Sequence, residues 1–326
     1  MKDSYLREIN YLRISVTDRC NLRCRYCMPR EGVRTIPHEE ILRLEEIEFI
    51  VRAAVLAGIR KVRLTGGEPL LRKGLEELVR RIAGVREVDD ISLTTNGLLL
   101  PGRAGVLKEA GLKRVNISLD TLRADRYREI TRGGELAGAW EGINSALAAG
   151  LHPVKLNTVV IRGFNDDETA AIARVTVNRP LHVRFIELMP IGASNSWAAD
   201  RFVPAGEIMD AINKKLGQLL PVEKPEGGGP AKYYRLKGAA GTVGFITSMS
   251  EHFCGRCNRL RLTSSGGLRP CLYDSREIDL KEPLRRGASL KELAALIEDA
   301  VAVKPDRHRM FEGWRDQRRV MSQIGG

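Results

Sequence analysis

The sequence predicts an α/β fold, an incomplete (βα)6 barrel of the TIM type whose open side is covered by a C-terminal segment. Two observations predict it. Segments typical of strands alternate with amphipathic segments through the first two thirds of the chain, as in parallel βαβ units. In addition, nearly every predicted strand is followed by polar or glycine-rich residues, which is where barrels place their active sites.

The predicted elements follow one another in a regular order. We expect strands at Tyr11–Val16, Lys61–Thr65, Asp90–Thr94, Arg114–Leu119, Lys155–Ile161 and His182–Glu187. We expect helices between them at Leu42–Ala57, Leu75–Ala83, Ala104–Ala110, Ala139–Ala149 and Glu168–Val177. Such alternation predicts right-handed crossovers between parallel strands. By itself it fits either an open doubly wound sheet or an incomplete barrel.

The residues that follow the strands favour the barrel. They are Thr17-Asp18, Gly66-Gly67-Glu68-Pro69, Thr95-Asn96-Gly97, Asp120 and Met189-Pro190. In a barrel, several strands contribute to one active site at their carboxyl ends. An open sheet concentrates its site at a single switch point instead.

The alternation ends in a segment with the composition of a loop or linker, Pro221–Pro230. Shorter β-like segments and one helix are predicted beyond it, at Lys232–Leu236, Thr242–Ile246, Arg259–Thr263 and Leu290–Val303. We therefore predict a barrel domain at residues 1–220 and a C-terminal region at residues 231–326.

Composition indicates a globular enzyme outside the membrane. Of the 326 residues, 43% are hydrophobic and 29% are charged, which is ordinary for soluble globular proteins. No apolar run approaches the roughly 18 residues that a membrane-spanning helix needs. We also find no secretory signal, so we expect a cytoplasmic protein.

The net charge predicts an anionic partner. The chain has 53 basic and 41 acidic residues, a net charge of +12. Nucleic acid and a phosphorylated small molecule are both candidates. Aromatic residues make up only 5% of the chain, which gives little support to a platform for stacking single-stranded bases.

Three cysteines share one short segment near the N-terminus. Cys20, Cys24 and Cys27 have the spacing Cys-x3-Cys-x2-Cys. Three thiolates on one loop can hold three irons of a [4Fe–4S] cluster and leave the fourth iron open to a small molecule. Structural zinc is the alternative, but zinc commonly uses closely spaced pairs of ligands, and the nearest histidine, His38, lies outside that spacing.

The other three cysteines form a second trio. Cys254, Cys257 and Cys271 have the spacing Cys-x2-Cys-x13-Cys, so all six cysteines are used in two groups of three. This too predicts a cluster with one open iron. His252 could instead complete a Cys3His zinc site, and that alternative stays open at this point. Disulfides are less consistent with grouped spacings in a chain without a secretory signal.

Taken together, these motifs resemble a known family. The first trio, with Tyr26 before its last cysteine and Gly66-Gly67-Glu68-Pro69 after it, resembles the radical S-adenosylmethionine (SAM) enzymes. The second trio with Asn258-Arg259-Leu260-Arg261, and the terminal Gly325-Gly326, resemble the molybdenum cofactor biosynthesis protein A family, the GTP 3′,8-cyclases. The likeness extends from about Leu12 to the last residue.

The resemblance implies one [4Fe–4S] cluster at each end of a channel through the barrel. In the family, the first cluster binds SAM and cleaves it reductively to a 5′-deoxyadenosyl radical, which removes the C3′ hydrogen of GTP. The C3′ atom then attacks C8 of guanine and gives (8S)-3′,8-cyclo-7,8-dihydroguanosine 5′-triphosphate. This is the first step toward the molybdenum cofactor. The second cluster's open iron would bind the guanine base.

The resemblance also implies residue roles. The expected SAM contacts are Tyr26, Gly67, Ser118 and Met189. The expected GTP contacts are Arg13, Arg63, Thr94, Lys155, Arg259, Leu260 and Arg261, of which Arg259 and Arg261 are also expected to assist the cyclisation. A cation that points into a barrel needs a counter-ion, and phosphate supplies one. Arg259 and Arg261 are two residues apart, so on a strand both face the same side.

Several partners follow from the same resemblance. We expect GTP as substrate, an electron donor, product hand-off to cyclic pyranopterin monophosphate synthase, and a homodimer, with neither membrane nor nucleic acid. The tail at Gly325-Gly326 would reach toward the active site. Residues 202–230 receive no functional assignment.

Two other functions compete with this one. A radical SAM enzyme that acts on a peptide or an RNA would share the first motif, but such enzymes need additional cysteines or a recognition module. A basic, zinc-dependent nucleic-acid-binding protein would account for the charge and the cysteines. It would not account for Gly-Gly-Glu-Pro or for the alternation of strands and helices.

Overall fold

The computed structural model of the chain describes residues 1–191, 200–226, 229–308 and 319–324. Within those ranges, no helix has both the length and the apolar character needed to span a bilayer. The predicted tail at Gly325-Gly326 lies outside the described residues, as do two glycines of the 202–230 segment, Gly227 and Gly228.

The strands of the described chain are joined in one sheet. They are β1 (Tyr11–Ser15), β2 (Lys61–Thr65), β3 (Asp90–Thr95), β4 (Arg114–Ser118), β5 (Val154–Val160), β6 (Leu181–Glu187), β7 (Leu220–Pro221), β8 (Lys232–Arg235), β9 (Thr242–Ile246), β10 (Arg259–Leu262), β11 (Gly267–Arg269) and β12 (Ile278–Asp279). The helices are α1 (Leu44–Leu56), α2 (Leu75–Ala83), α3 (Ala104–Glu109), α4 (Ala124–Thr131), α5 (Leu136–Ala148), α6 (Thr169–Asn178), α7 (Ala205–Leu216), α8 (Lys281–Arg285) and α9 (Leu290–Ala302).

The order of the strands is that of an incomplete barrel. It runs β12-β11-β10-β1-β2-β3-β4-β5-β6-β9-β8-β7, and β10 through β9 are parallel to one another. The two ends of this order do not pair with each other in the described part of the chain. The predicted α/β barrel is thus confirmed, with β9 and β10 added in parallel beside β6 and β1.

Alternation along the strands separates the core from the barrel interior. On β1, Leu12 and Ile14 are buried in the main hydrophobic cluster, on the face covered by the helices. Arg13 lies between them, and successive side chains of a strand point to opposite faces. Arg13 therefore belongs to the face that lines the inside of the barrel.

Helix α9 lies against α1 on the helical face of the sheet. It begins with a capping box, in which Ser289 Oγ accepts a hydrogen bond from the Glu292 N–H (3.3 Å) and the Glu292 carboxylate accepts one from the Ser289 N–H (2.7 Å). Its residues Leu293, Ile297 and Val301 are buried at helical spacing, and α9 packs against α1.

The observed bounds differ from the predicted ones by a few residues, and some elements were not predicted. Helix α5 begins at Leu136 rather than at Ala139. Helix α4 escaped prediction because most of it is polar, so only Tyr127, Ile130 and Thr131 are buried. Helix α7 lies in the segment that the sequence left unassigned.

Gly142 allows α5 to lie directly against the turn after β3, because a Cβ atom there would be 2.1 Å from the carbonyl oxygen of Gly97. We expect Gly142→Ala to destabilise the protein by about 1–3 kcal/mol through overpacking. An alanine in an unhindered helix gains up to about 1 kcal/mol over glycine. The control is Gly206→Ala in α7, where a Cβ would meet no atom within 4 Å. Denaturant unfolding measures both, and equal or stabilising effects at the two positions would contradict this packing.

Candidate active site

The first cysteine segment follows β1 and is held by the end of α4. The N–H groups of Arg23 and Arg25 donate to the carbonyl oxygens of Thr131 and Ile130, each at 3.0 Å. Arg132 Nη1 donates to the carbonyl oxygens of Arg23 (3.2 Å) and Met28 (3.1 Å). These bonds fix the backbone on both sides of Cys24 and Cys27.

The three thiols of this segment line one cavity, which we call cavity one. It encloses about 1110 Å³, including open solvent, at the carboxyl ends of the barrel strands. All four residues expected to contact SAM also line it, namely Tyr26, Gly67, Ser118 and Met189. The structure therefore brings the first predicted set together.

Backbone geometry explains the glycine at position 67. A Cβ atom on Gly67 would lie 2.2 Å from the carbonyl oxygen of Arg19, in the cysteine segment. The next residue, Glu68, is buried and accepts hydrogen bonds from Thr95 Oγ1 (2.7 Å) and from the N–H groups of Asn96 (2.8 Å) and Leu70 (3.1 Å). Gly-Gly-Glu-Pro thus ties the loops after β1, β2 and β3 together.

Two buried groups of cavity one were not predicted as site residues. Asp120 accepts hydrogen bonds from Tyr26 Oη (2.6 Å) and from the Val159 N–H (2.8 Å). Burial raises the pKa of Asp120 to about 6, although both hydrogen bonds act to lower it. The other is Glu68. Both could have been found in the sequence as acidic residues that follow a predicted strand within three positions.

The second trio lines a second cavity, which we call cavity two and which encloses about 1130 Å³, including open solvent. Cys254, Cys257 and Cys271 lie there with Arg259 and with Arg13, Arg63, Thr94 and Arg261. Burial alone would raise the pKa of Cys257, but the charges of Arg259 and Lys304 lower it to about 6. The charges at this end of the barrel therefore favour the thiolate of Cys257, whereas burial raises the pKa of Cys254.

The spacing of the thiols tests which metal each trio fits. Two sulfurs bound to one zinc at about 2.3 Å can be at most about 4.6 Å apart. In the described part of the chain, the ligand group whose atoms all lie within 4.8 Å of one another is His252, Cys254 and His308. Neither trio of cysteines meets that limit by itself in the described residues, whereas Cys254 meets it with two histidines. Three thiols that line one cavity are the donor set of a [4Fe–4S] cluster with one open iron.

The thiols of the first trio hold their protons more tightly than free cysteine. Burial raises the pKa values of Cys20, Cys24 and Cys27. All six cysteines of the chain are free thiols. The first trio would therefore become thiolate on binding the irons of a cluster, because a metal ion displaces the proton.

The register of the strands sets the basic residues of cavity two side by side. Arg261 on β10 pairs with Arg13 on β1, and Arg13 pairs with Arg63 on β2. Burial and neighbouring cations lower the pKa values of Arg63 and Arg261 to about 10 each. Adjacent strands therefore place positive charge at one level of the barrel, in a site that suits a polyanion.

Arg184 on β6 belongs to this site although it was not predicted. It is buried and lines cavity two, and its Nη2 donates to Asn116 Oδ1 (2.8 Å) and Asn157 Oδ1 (2.5 Å). Its Nε has no hydrogen-bond partner among the described residues. Its signal in the sequence was the same as that of Arg13 and Arg63, an arginine inside an apolar strand.

Two predicted GTP contacts lie elsewhere. The side chain of Leu260 is completely buried in the main hydrophobic cluster and does not line cavity two. Lys155 is also fully buried, and its Nζ donates to the carbonyl oxygen of Glu226 at 2.6 Å. Lys155 therefore lies behind the wall of cavity two, next to the loop before β8.

The two cavities share part of their walls. Thr94, Asn157, Ile186, Met189 and Met321 line both. Two ligands bound in these cavities would therefore meet along one set of side chains. The arrangement can present a small molecule held at the first trio to an anionic molecule held at the second.

Arg7 connects the second cysteine segment to both ends of the chain. Its Nε donates to Asp3 Oδ2 (2.6 Å), and its two terminal nitrogens donate to the carbonyl oxygens of Cys254 (2.9 Å), Asp306 (2.9 Å) and Pro305 (2.7 Å). Both side chains of the ion pair are buried, with 4% and 0% exposure. Arg7 therefore positions the loop that carries Cys254.

Comparison with known families agrees with this division of the site. The Radical SAM superfamily model matches residues 14–175, and the Molybdenum Cofactor Synthesis C model matches residues 181–310. Among curated proteins, GTP 3′,8-cyclases from Pelotomaculum thermopropionicum and Desulforamulus reducens are 78% and 59% identical over 326 residues. Both comparisons cover 100% of this chain and 100% of the relative.

Solved structures of low identity share the fold. Streptococcus suis SuiB bound to S-adenosylmethionine has a TM-score of 0.58 at 13% identity and covers 93% of this chain and 77% of its own. SuiB bound to its precursor peptide SuiA has a TM-score of 0.59 at 14% identity, over 82% of this chain and 60% of its own. At this identity, the likeness establishes the barrel architecture alone.

Removing the Arg7 side chain leaves the Asp3 carboxylate buried without its partner. We expect Arg7→Met to lower the free energy of unfolding by about 3–5 kcal/mol and to weaken iron retention at the second trio. The control is Arg25→Met, which breaks an ion pair with Glu129 whose side chains are 43% and 55% exposed and which should cost less than about 1 kcal/mol. Denaturant unfolding and iron analysis measure both, and similar losses in the two variants would contradict the proposed role of Arg7.

Proposed function

This chain belongs to the GTP 3′,8-cyclase family of radical SAM enzymes, and on that premise we propose how its residues divide the reaction. The enzyme converts GTP to (8S)-3′,8-cyclo-7,8-dihydroguanosine 5′-triphosphate in the first step of molybdenum cofactor biosynthesis. Its cofactors are two [4Fe–4S] clusters and SAM. The observation that carries the division of roles is that each cysteine trio has its own cavity and that the two cavities share a wall.

Cavity one is the SAM site in this proposal. When bound there, the cluster and SAM supply a 5′-deoxyadenosyl radical by one-electron reductive cleavage. Cys20, Cys24 and Cys27 would hold the cluster. The backbone at Gly67 gives a ligand close access, and Tyr26, fixed by its hydrogen bond to Asp120, would orient the adenosine together with Ser118 and Met189.

Cavity two is the GTP site. Arg63 and Arg184 present buried guanidinium groups and Arg13 a half-buried one, and these would pair with phosphate oxygens in bidentate geometry. Thr94, on the shared wall, would hold GTP at the boundary with cavity one. Cys254, Cys257 and Cys271 would hold the second cluster beside the guanine base.

Arg259 and Arg261 are the residues we assign to the cyclisation. Both line cavity two, next to Cys257 and Cys271. The C3′ radical adds to C8 without a change of charge, and one further electron from the donor and one proton then complete the product. Fixed cations at this position would stabilise the negative charge that this electron brings to the guanine, without reorganisation of solvent. Leu260 would take part only through its backbone, since its side chain lies in the core.

The rival functions lack comparable support. A peptide substrate would not require the arginines of cavity two. An enzyme that acts on RNA would not account for the match of residues 181–310 to the Molybdenum Cofactor Synthesis C model. A zinc-dependent nucleic-acid-binding protein would not account for the match of residues 14–175 to the Radical SAM superfamily.

Besides GTP, the reaction needs an electron donor and an enzyme that takes up the product. We propose a cytoplasmic homodimer that receives electrons from a donor and passes its product to cyclic pyranopterin monophosphate synthase. We also propose that residues 1–220 and residues 231–326 have different functions. This division separates the SAM half from the region of the second cluster, although β9 and β10 of the latter continue the barrel sheet.

The division of labour between the trios predicts a split phenotype. Anaerobically reconstituted wild-type enzyme, given SAM, dithionite and GTP, should form 5′-deoxyadenosine and consume GTP. Cys271→Ser should reduce cyclisation far more than 5′-deoxyadenosine formation, whereas Cys24→Ser should abolish both. Equal losses in Cys271→Ser would contradict the division, and 5′-deoxyadenosine without GTP loss in the wild type would indicate another substrate.

We expect GTP binding to depend on pH because the pKa of Lys155 lies close to neutrality. Burial, and then the charges of Arg184, Arg114 and Arg63, lower the pKa of Lys155 to about 6. Phosphate bound to Arg63 and Arg184 would offset the positive charges that act on Lys155 across the cavity wall, and this favours the charged amine. Binding then takes up a proton, so GTP affinity should fall as the pH rises above 6.

The matched control is Lys155→Arg, whose side chain stays charged across this range. We therefore expect the ratio of wild-type to variant Kd for GTP to rise between pH 6 and 8 in calorimetric titrations, by up to about tenfold for each pH unit at most. Taking this ratio removes the nucleotide's own ionisation from the comparison. A ratio independent of pH would show that Lys155 does not respond to the substrate.

A further inference from the structure

Cys20 differs from the other cysteines of the first trio in its access to the outside. It lines cavity one, and it also lines a separate cleft on the outer side of the same segment. We call this outer feature the Cys20 cleft. Cys24 and Cys27 line cavity one but not this cleft. A cluster held by the trio would therefore come closest to the outer surface through Cys20.

The chain around the Cys20 cleft is strongly basic. Residues 19–34 contain five arginines and one acidic residue, Glu31. Arg25 forms an ion pair with Glu129 at 2.5 Å. Arg19, Arg30 and Arg34 are exposed, and in the described part of the chain none of the three forms an ion pair. These positive charges are therefore available to a partner.

The centre of the cleft is less polar than its rim. Met28, Val33 and Leu71 line it, and Leu71 is 39% exposed. The buried carboxylate of Asp18 also lines the cleft and accepts a hydrogen bond from the Ile36 N–H at 2.7 Å, so it is engaged with the loop. A small apolar centre with a charged rim is typical of transient protein interfaces.

We propose that the Cys20 cleft is the docking surface for an acidic protein that carries single electrons. The proposal rests on the function proposed above, since reductive cleavage of SAM consumes one electron per turnover. In the docking complex the carrier is oxidised by one electron and the cluster is reduced by one. No bond forms or breaks in this transfer, and no proton needs to move.

Charge complementarity selects this partner. Positive charge on the rim attracts an acidic surface and accelerates encounter, particularly at low ionic strength. The cleft lining contains no aromatic side chain on which a base could stack, which disfavours single-stranded nucleic acid. Two other outward clefts, at Glu46 and at Pro221, contain no cysteine.

The test compares two electron sources with the same reconstituted enzyme. One is reduced flavodoxin, an acidic flavin protein, and the other is dithionite, a small molecule that needs no docking surface. The variant is Arg19→Glu/Arg34→Glu, whose side chains make no hydrogen bond within the described residues. Arg19 lines the cleft, and Arg34 lies between its lining residues Val33 and Thr35. The matched control is Arg86→Glu/Arg174→Glu, which makes the same change of charge at exposed positions on other faces.

At low salt and limiting flavodoxin, the variant should form product at least about ten times more slowly than the wild type. The control should stay within about twofold, and all proteins should have equal rates with dithionite. Equal flavodoxin-driven rates in variant and wild type, or equal losses in variant and control, would overturn the proposal. Product formation with dithionite would leave the proposed function intact in either case.

Loss of dithionite-driven activity in the variant would also overturn the proposal, because the arginines would then serve the reaction itself. If the variant loses its iron, the salt dependence of the wild-type reaction still tests the proposal. Raising sodium chloride from about 50 mM to about 500 mM should slow the flavodoxin-driven reaction severalfold more than the dithionite-driven one. Equal salt dependence would exclude docking by these charges.

Binding of oxidised flavodoxin, measured by calorimetry at low salt without SAM or GTP, gives a readout that does not depend on activity. Its Kd should be at least about tenfold higher for the variant than for the control, and equal Kd values would overturn the proposal.

Discussion

The positive charge enclosed by the barrel is the constraint on which the site depends. Arg63 on β2 and Arg184 on β6 are buried and form no ion pair within the described residues. Burying a cation without a counter-charge is costly. The fold keeps these cations in place with neutral acceptors, such as Ser92 for Arg63 and Asn116 for Arg184. In the proposed complex with GTP, a triphosphate would supply the missing charge, so substrate binding would complete the electrostatics of the interior.

Each of the two cysteine trios lines one of the two cavities in this charged interior. The first is fixed by α4 and by the loop at Gly67, and the second is fixed by Arg7 and by its place beside β10. Their cavities share side chains, so the atom that reacts on one ligand can approach the other without crossing bulk water. The barrel thus supplies position and charge, whereas the bond chemistry belongs to the cofactors.

Sequence reasoning succeeded where the determining signal was local. The cysteine spacings and Gly66-Gly67-Glu68-Pro69 identified cavity one, because each motif lies on a single loop. The strand bounds followed from short apolar runs, as at β2, where the predicted and observed residues coincide. Leu260 was predicted as a GTP contact because it belongs to the family's Asn-Arg-Leu-Arg motif, yet its side chain lies in the core. Alternation on a strand already placed its side chain opposite to Arg259 and Arg261.

What the sequence could not supply depends on contacts between distant parts of the chain. Arg7 meets the carbonyl oxygens of Cys254 and Asp306, 247 and 299 residues away. The parallel pairing of β10 with β1 and of β9 with β6 has no local signature, since parallel neighbours are set by the whole fold. Arg184 carried the same signal as Arg13, but only the assembled barrel shows that its side chain faces the cavity.

The central claim is that the barrel holds the C3′ atom of GTP within reach of the 5′ carbon of SAM. The most direct measurement uses GTP deuterated at C3′, with mass spectrometry of the 5′-deoxyadenosine formed under anaerobic conditions. The account predicts that deuterium appears in the 5′-deoxyadenosine as GTP is consumed. 5′-Deoxyadenosine without deuterium, formed while GTP is consumed, would contradict it.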